Sequence, residues 1–227
     1  MTENFLDSIG ELSVQKRNRH ISAIITFIES YLDDFIIIYY DEYSNITNET
    51  GITHELCSFF ESKINEHPFY FHHEDRAIPD SGQSPSVDFG VKTREPFGEF
   101  KNRQTVFSIE AKRLPTLGSG REKEYVLSPT GKSGGIERFK KGIHGSGLKY
   151  SAIIGYVQKN DFSFWFSKIN YWIDELIKDE SQNIEWTEED KLTKIYFEQK
   201  KAKLISKNKQ RKDYIFLYHF WIDLRSN

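Results

Sequence analysis

The stretch Thr105-Val106-Phe107-Ser108-Ile109-Glu110-Ala111-Lys112-Arg113-Leu114 constrains this chain more than any other. Phe107, Ile109 and Ala111 recur at every second position, with Val106 and Leu114 at the flanks, which is the period of a strand with one buried face. The same alternation sets Glu110 and Lys112 side by side on the opposite face. A carboxylate and an ammonium at the end of a core strand are costly unless they are paired or put to use. Taken alone, Glu110-Ala111-Lys112 is open to two meanings: a strand-end salt bridge, or two parts of a chemical site.

Around that strand the chain alternates between helical and strand-like periodicity. Residues 1–34 predict a helix, with Ile21, Ile24, Ile25, Ile28, Tyr31 and Leu32 on one face after the basic residues Lys16, Arg17 and Arg19. Phe35 to Tyr40 is an apolar run of strand length, and Asp41 to Gly51 is turn-rich. A second helix is expected from Thr53 to Asn65, with Thr53 as N-cap and Glu55 in the first turn. Phe69 to Glu74 and Ser86 to Lys92 follow as strands. In the latter Val87, Phe89 and Val91 alternate, so Asp88 falls on the other face, an unfavourable place for an aspartate without a role. Thr93 to Arg103 reads as a polar hairpin loop. After Leu114 come a long loop to Gly134, a short helix from Gly135 ending near Gly142 or Gly145, a strand at Tyr150–Val157 and an amphipathic helix at Phe162–Lys178. The C-terminal part predicts a strand at Lys194–Phe197, an exposed loop through the lysine run 200–212, and a buried aromatic strand from Tyr214 to Ile222. At 227 residues this makes a single α/β (α+β) domain with its core at about 52–157, a helix (1–34) before it and helix and strand additions (160–227) after it.

Three carboxylates, Glu55, Asp88 and Glu110, thus fall on elements that can be neighbours. Hard oxygen donors suit Mg²⁺ or Mn²⁺, which are satisfied by one or two carboxylates plus waters and substrate phosphates. An ammonium two residues from a metal-binding glutamate can hold the attacking water and offset charge at the phosphate. The chemistry that fits is hydrolysis of a phosphodiester. For Glu55 a simpler meaning stands beside this one, favourable charge at a helix N-terminus. Two other motifs fall away. Gly131-Lys132-Ser133 ends like a phosphate-binding P-loop, but the glycine needed five residues earlier is Val126. His72 and His73 are adjacent on a strand and point to opposite faces.

With Ser86-Val87-Asp88-Phe89-Gly90-Val91 and Phe107-Ser108-Ile109-Glu110-Ala111-Lys112 in that order, the chain resembles the PD-(D/E)XK nuclease superfamily over about residues 52–157. The resemblance implies a restriction-endonuclease-like fold, a mixed central sheet flanked by helices with an αβββαβ core. It implies Asp88 and Glu110 as metal ligands, the Ala111 backbone carbonyl as a further oxygen ligand, Lys112 as the catalytic lysine and Glu55 as an accessory ligand or base. The chain departs from the family pattern at Val87, where the motif has proline. A literal Pro79-Asp80 lies in a Gly/Ser loop without strand alternation and ranks below Asp88.

The net charge is only −3, but residues 1–100 hold 18 acids against 7 bases and residues 101–227 hold 16 acids against 24 bases. A polyanionic partner would therefore meet the C-terminal half. Arg113, Arg121, Lys123, Lys132, Arg138 and Lys141 follow the site directly and are the expected nucleic-acid-binding residues; a solvated charged face is the plainer alternative. A single cysteine, Cys57, excludes an internal disulfide and a cysteine-built zinc site. No apolar run has the length of a membrane span, and the N-terminus has no signal-peptide pattern, so a cytoplasmic protein without a membrane partner is expected. The expected function is a Mg²⁺- or Mn²⁺-dependent nuclease, acting on DNA in preference to RNA, of the kind that serves as effector subunit in bacterial anti-phage defence. A helicase or sensor subunit and a second copy of the chain are the expected protein partners. The alternatives are an inactive nuclease-fold binding module that recruits a protein or nucleic acid, and an enzyme acting on a non-nucleic phosphate.

Overall fold

The computed structural model describes residues 3–76, 86–96, 100–118, 120–128, 134–211 and 213–225, with side chains from Arg19 onward apart from Arg76. Seven strands, β1 (Phe69–Arg76), β2 (Ser86–Thr93), β3 (Thr105–Leu114), β4 (Tyr150–Val157), β5 (Thr193–Phe197), β6 (Lys201–Gln210) and β7 (Asp213–Asp223), form one sheet. Their spatial order is β1-β2-β3-β4-β7-β6-β5. The three middle strands β3, β4 and β7 are parallel, and the pairs on either side are antiparallel. Helices α1 (Glu3–Ile38) and α2 (Glu49–Lys63) pack on one face, and α3 (Gly135–Lys140) and α4 (Phe162–Lys178) on the other. The result is a mixed α/β protein with a core on each side of the sheet. β4 is buried on both faces, with Ala152, Ile154 and Tyr156 in one core and Ile153 and Val157 in the other. That double burial explains its unbroken apolar sequence. Among the described residues no helix is long and apolar enough to cross a membrane.

Three elements differ from expectation, each for a physical reason. Phe35 to Tyr40 is not a strand: α1 continues through Ile38 into a π-helical turn at Tyr39–Tyr43. Ile28, Leu32, Phe35, Ile36 and Tyr39 are all buried, and their spacing extends the helical stripe already set by Ile21, Ile24 and Ile25. A six-residue apolar run has no period of its own and follows its neighbours. Helix α2 begins one turn early, because Asn48 and not Thr53 is the N-cap; Gly51 N–H donates to Asn48 Oδ1 at 2.7 Å. Thr53 lies buried within the helix, its hydroxyl donating to the Glu49 carbonyl at 2.7 Å and meeting the Tyr156 hydroxyl at 3.0 Å.

The lysine run is strand β6 and not a loop. Ala202, Leu204, Ser206, Asn208 and Gln210 point inward and alternate with outward lysines. Each inward polar side chain makes a hydrogen bond: Asn208 Nδ2 donates to Ser206 Oγ at 2.7 Å, Ser206 Oγ lies 3.0 Å from His219 Nε2, and Gln210 Nε2 donates to the Phe139 carbonyl at 2.7 Å, while Asn208 Oδ1 has no partner among the described residues. The outward lysines meet acids, Lys201 on Asp33 at 2.5 Å, Lys203 on Glu29 at 2.8 Å, Lys207 on Glu189 at 2.7 Å and Lys209 on Glu185 at 2.6 Å.

Candidate active site

The site forms where two strands part. β2 and β3 pair from Lys92/Thr105 to Phe89/Ile109, and the register ends there. The next amide on that edge of β3, Ala111 N–H, has no strand partner and donates instead to Asp88 Oδ2 at 2.6 Å. One step further, Arg113 N–H donates to Glu49 Oε2 at 2.9 Å. Two carboxylates thus replace the missing strand, as buried backbone donors require. Glu49 can reach because the Asn48 cap places it at the first turn of α2, facing the end of β3.

The Lys112 ammonium gathers the oxygens around it. It donates to Glu110 Oε1 and to the Ala111 carbonyl, both at 2.9 Å, and to Glu49 Oε1 at 3.2 Å. On the far side of Glu110, Arg138 Nη1 stands 3.5 Å from Oε1 and His144 Nε2 stands 3.4 Å from Oε2. Glu110 and Lys112 are 3% and 5% exposed, so these charges survive only as a mutually compensated set. Beneath it, Gly155 pairs with Lys112 in the parallel register. A Cβ at Gly155 would lie 2.4 Å from Cδ1 of Trp221, so only glycine lets β4 pass between lysine and indole.

The electrostatics separate the two carboxylates. Burial, and then the charge of Glu110, push Asp88 up from 3.8 to about 7, against the pull of Lys112 and the Ala111 amide. Burial acts on Glu110 in the same sense, but Lys112, with His144 and Arg138, outweighs it and holds Glu110 below the ordinary carboxylate range. Burial lowers His144 to about 4 in spite of Glu110. His144 is therefore neutral at physiological pH, and Lys112 and Arg138 supply the cationic part. Lys112 is raised, because Glu110, Glu49 and Asp88 together overcome its desolvation. At neutral pH the site holds one fixed carboxylate, one fixed ammonium and one carboxyl near its midpoint, a separation typical of sites that move protons.

Asp88, Glu110, Lys112 and the Ala111 backbone are brought together as the sequence pattern suggested. Glu55 is not in this set: it lies in the second turn of α2, where Tyr43 is its electrostatic neighbour. Glu49 occupies the place expected of it, and the shifted helix start is the cause. Among the described basic candidates, only Arg138 puts its side chain on Glu110. Arg113 donates from Nε to Gln158 Oε1 at 2.6 Å, Arg121 forks onto Glu124 at 2.6 and 2.7 Å, Lys123 meets Glu175 at 2.7 Å and Lys141 pairs with Glu137. Lys132 lies outside the described residues, as does Asp80. His144 gave no signal in sequence, since a histidine in the glycine-rich run 142–147 belongs to no periodic element. Glu49 was signalled only by the Asn48-Glu49 pair, a cap followed by a first-turn acid.

Among the described residues no group of three or more His, Cys, Asp or Glu side chains could hold a metal ion. The donors that converge are two carboxylates and one carbonyl, which is a set Mg²⁺ accepts when waters and a phosphate complete its shell. Asp88 and Glu110 raise each other's cost of ionisation, and the Lys112 ammonium stands on Glu110 Oε1 and the Ala111 carbonyl, two oxygens a divalent cation would use. The donor types are ones a hard cation accepts; Asp88, Glu110 and the Ala111 carbonyl would hold it, and Lys112 would have to yield. Comparison with family models, with curated proteins and with solved structures finds no match to this chain.

Proposed function

We propose that the protein is a metal-dependent nuclease of the restriction-endonuclease-like type, hydrolysing phosphodiester bonds, with DNA preferred to RNA. One observation carries this: the main chain of Ala111 is held by Asp88 at its N–H and by Lys112 at its C=O, with Glu110 between them, at the point where two strands splay. The element order α2-β1-β2-β3-α3-β4, with β3 and β4 parallel, supports the same view. A bound Mg²⁺ or Mn²⁺ would supply Lewis acidity at the phosphoryl oxygen and a more acidic water. The chain's own groups do the rest. Asp88, near its midpoint, can accept a proton at neutral pH, Lys112 offsets charge at the reacting phosphate, and Arg138 keeps Glu110 ionised. The protein partner that such a subunit would serve, a helicase or sensor in anti-phage defence, belongs to the same proposal.

The test is cleavage of end-labelled DNA and RNA with Mg²⁺, with Mn²⁺ and with chelator. Activity should require the metal and should fall by about 10²-fold or more in Glu110→Gln and in Lys112→Met. Undiminished activity in both variants would refute the assignment. A specific observation also favours a second reading, a nuclease-fold binding module. Glu110 and the Ala111 carbonyl already have a cation in Lys112, so the cluster is electrically complete without a metal. Calorimetric titration of Mn²⁺ separates the two: the nuclease binds it and loses binding in Asp88→Asn, whereas the binding module gives no heat in either form.

A further inference from the structure

Beside the carboxylate site the protein has an open cavity of about 550 Å³. Tyr39 and Tyr40 from the π-helical turn, Ser44 and Thr47 from the segment leading into α2, and Arg113 and Gln158 at the ends of β3 and β4 line it, with Leu224. No acid lines it. That absence matters because Arg121, Lys123 and Lys141, the neighbouring basic candidates, each already meet an acid. Arg113 is different. Its Nε donates to Gln158 Oε1 at 2.6 Å, and Gln158 Nε2 donates to the Thr47 carbonyl at 3.0 Å, so the amide is oriented from both ends and fixes the guanidinium plane. Among the described residues the Arg113 guanidinium meets no carboxylate. The walls are pinned as well, with the Tyr39 hydroxyl donating to the Ile46 carbonyl at 2.9 Å and the Tyr40 hydroxyl to the Asp223 and Arg225 carbonyls at 3.1 and 2.9 Å.

A held guanidinium without a counter-ion, in a concavity of small-molecule size with hydroxyls and aromatic rings, suits a phosphate that bears an organic group. The position relative to the carboxylate site says which. Arg113 follows Lys112 on β3, so their side chains leave opposite faces of the sheet. Glu49 joins them, with one oxygen on Lys112 and the other on the Arg113 amide. A chain of phosphates crossing the end of β3 would therefore set one at Lys112 and a neighbour at Arg113. We propose that this cavity holds one nucleotide next to the bond that is cut, its phosphate on Arg113, and that the substrate is consequently a single strand or a frayed end and not an intact duplex. This rests on Asp88 and Glu110 being a phosphodiesterase centre.

The experiment has two arms. In the first, a deoxynucleoside 5′-monophosphate is titrated calorimetrically into the full chain with chelator present, so that the carboxylate site plays no part. Wild type and Asp88→Asn should bind alike, Arg113→Gln should lose about tenfold or more, as expected for a charge-assisted forked contact, and Ser44→Trp, an exposed change that fills the cavity, should block binding. No binding by wild type, or equal binding by Arg113→Gln and Ser44→Trp, would overturn the proposal. Inorganic phosphate should compete, but more weakly than the nucleotide; equal affinity would overturn the nucleotide part. In the second arm, single-stranded and duplex DNA of one sequence are cut with Mn²⁺. Faster cleavage of the single strand, reduced by Ser44→Trp, is expected, and a duplex cut equally well by both proteins would overturn the substrate class. Nucleotide binding without any cleavage would instead refute the phosphodiesterase centre and leave the cavity's ligand standing.

Discussion

Replacing Asp88 by asparagine should change how stability depends on pH, because Asp88 acts in the direction opposite to that of a carboxylate held by an ion pair. Asp88 is raised from 3.8 to about 7 by burial and by Glu110. Between those values the folded protein keeps a proton that the unfolded chain has lost, so stability must fall as pH rises through this window. The full displacement is worth at most about 4 kcal/mol at about 1.4 kcal/mol per tenfold. Asp88 is only half-buried, and solvent screening brings the expected effect to about 2 kcal/mol. Asparagine retains an oxygen for the Ala111 N–H and cannot ionise. Asp88→Asn should therefore gain about 1 kcal/mol on wild type between pH 5 and pH 8, the share of the effect that lies above pH 5. Urea unfolding at both pH values, in chelator, reads this out. A variant less stable than wild type near pH 8, or a wild type whose stability climbs over this range, would refute the electrostatic account. Adding Mn²⁺ should close the gap at high pH, since a cation bound to the folded state alone stabilises it by mass action.

Glu49→Gln should lower nuclease activity by about 10-fold or more, through a less firmly held Lys112, while Glu55→Gln should leave it within about twofold; steady-state cleavage rates of the two variants decide between the glutamates. Gly155→Ala should cost about 1–3 kcal/mol, because its methyl must displace the Trp221 ring, and thermal unfolding followed by tryptophan fluorescence measures it. Tyr156→Phe removes the hydroxyl that meets Thr53 and should destabilise by about 1 kcal/mol without moving the Asp88 midpoint; denaturant melts at two pH values check both halves of that statement.

The strands around the site were legible because their periods were clean. Phe89 and Val91, and Phe107, Ile109 and Ala111, face one core, and this alone exposes Asp88, Glu110 and Lys112 as charges on the opposite side. β4 and α4 emerged at their observed bounds for the same reason. Failures came where the period is hidden. In β6 the buried positions beyond Leu204 are Ser, Asn and Gln, polar residues whose partners on Phe139 and His219 are distant in sequence. Phe35 to Tyr40 could join either neighbour. At the site, the shifted helix cap exchanged Glu55 for Glu49, and His144 arrives through a glycine-rich turn in which Gly142, Gly145 and Gly147 all take positive φ.

The lysines of β6 have a bearing on how the protein would meet a polyanion. Its basic C-terminal half is docked on its acidic N-terminal half, with Lys201 and Lys203 against Asp33 and Glu29 of α1. In the language of counterion release, an ammonium that already has a carboxylate beside it displaces few of the cations condensed on a nucleic acid. The salt sensitivity of nucleic-acid binding, about −0.7 in logarithmic slope for each phosphate neutralised on a single strand, would then follow Arg113 and a few companions and not the 24 bases of residues 101–227. A nucleic acid bound in this way would draw its affinity from a small number of fitted contacts, and ionic strength would be a weak lever on it.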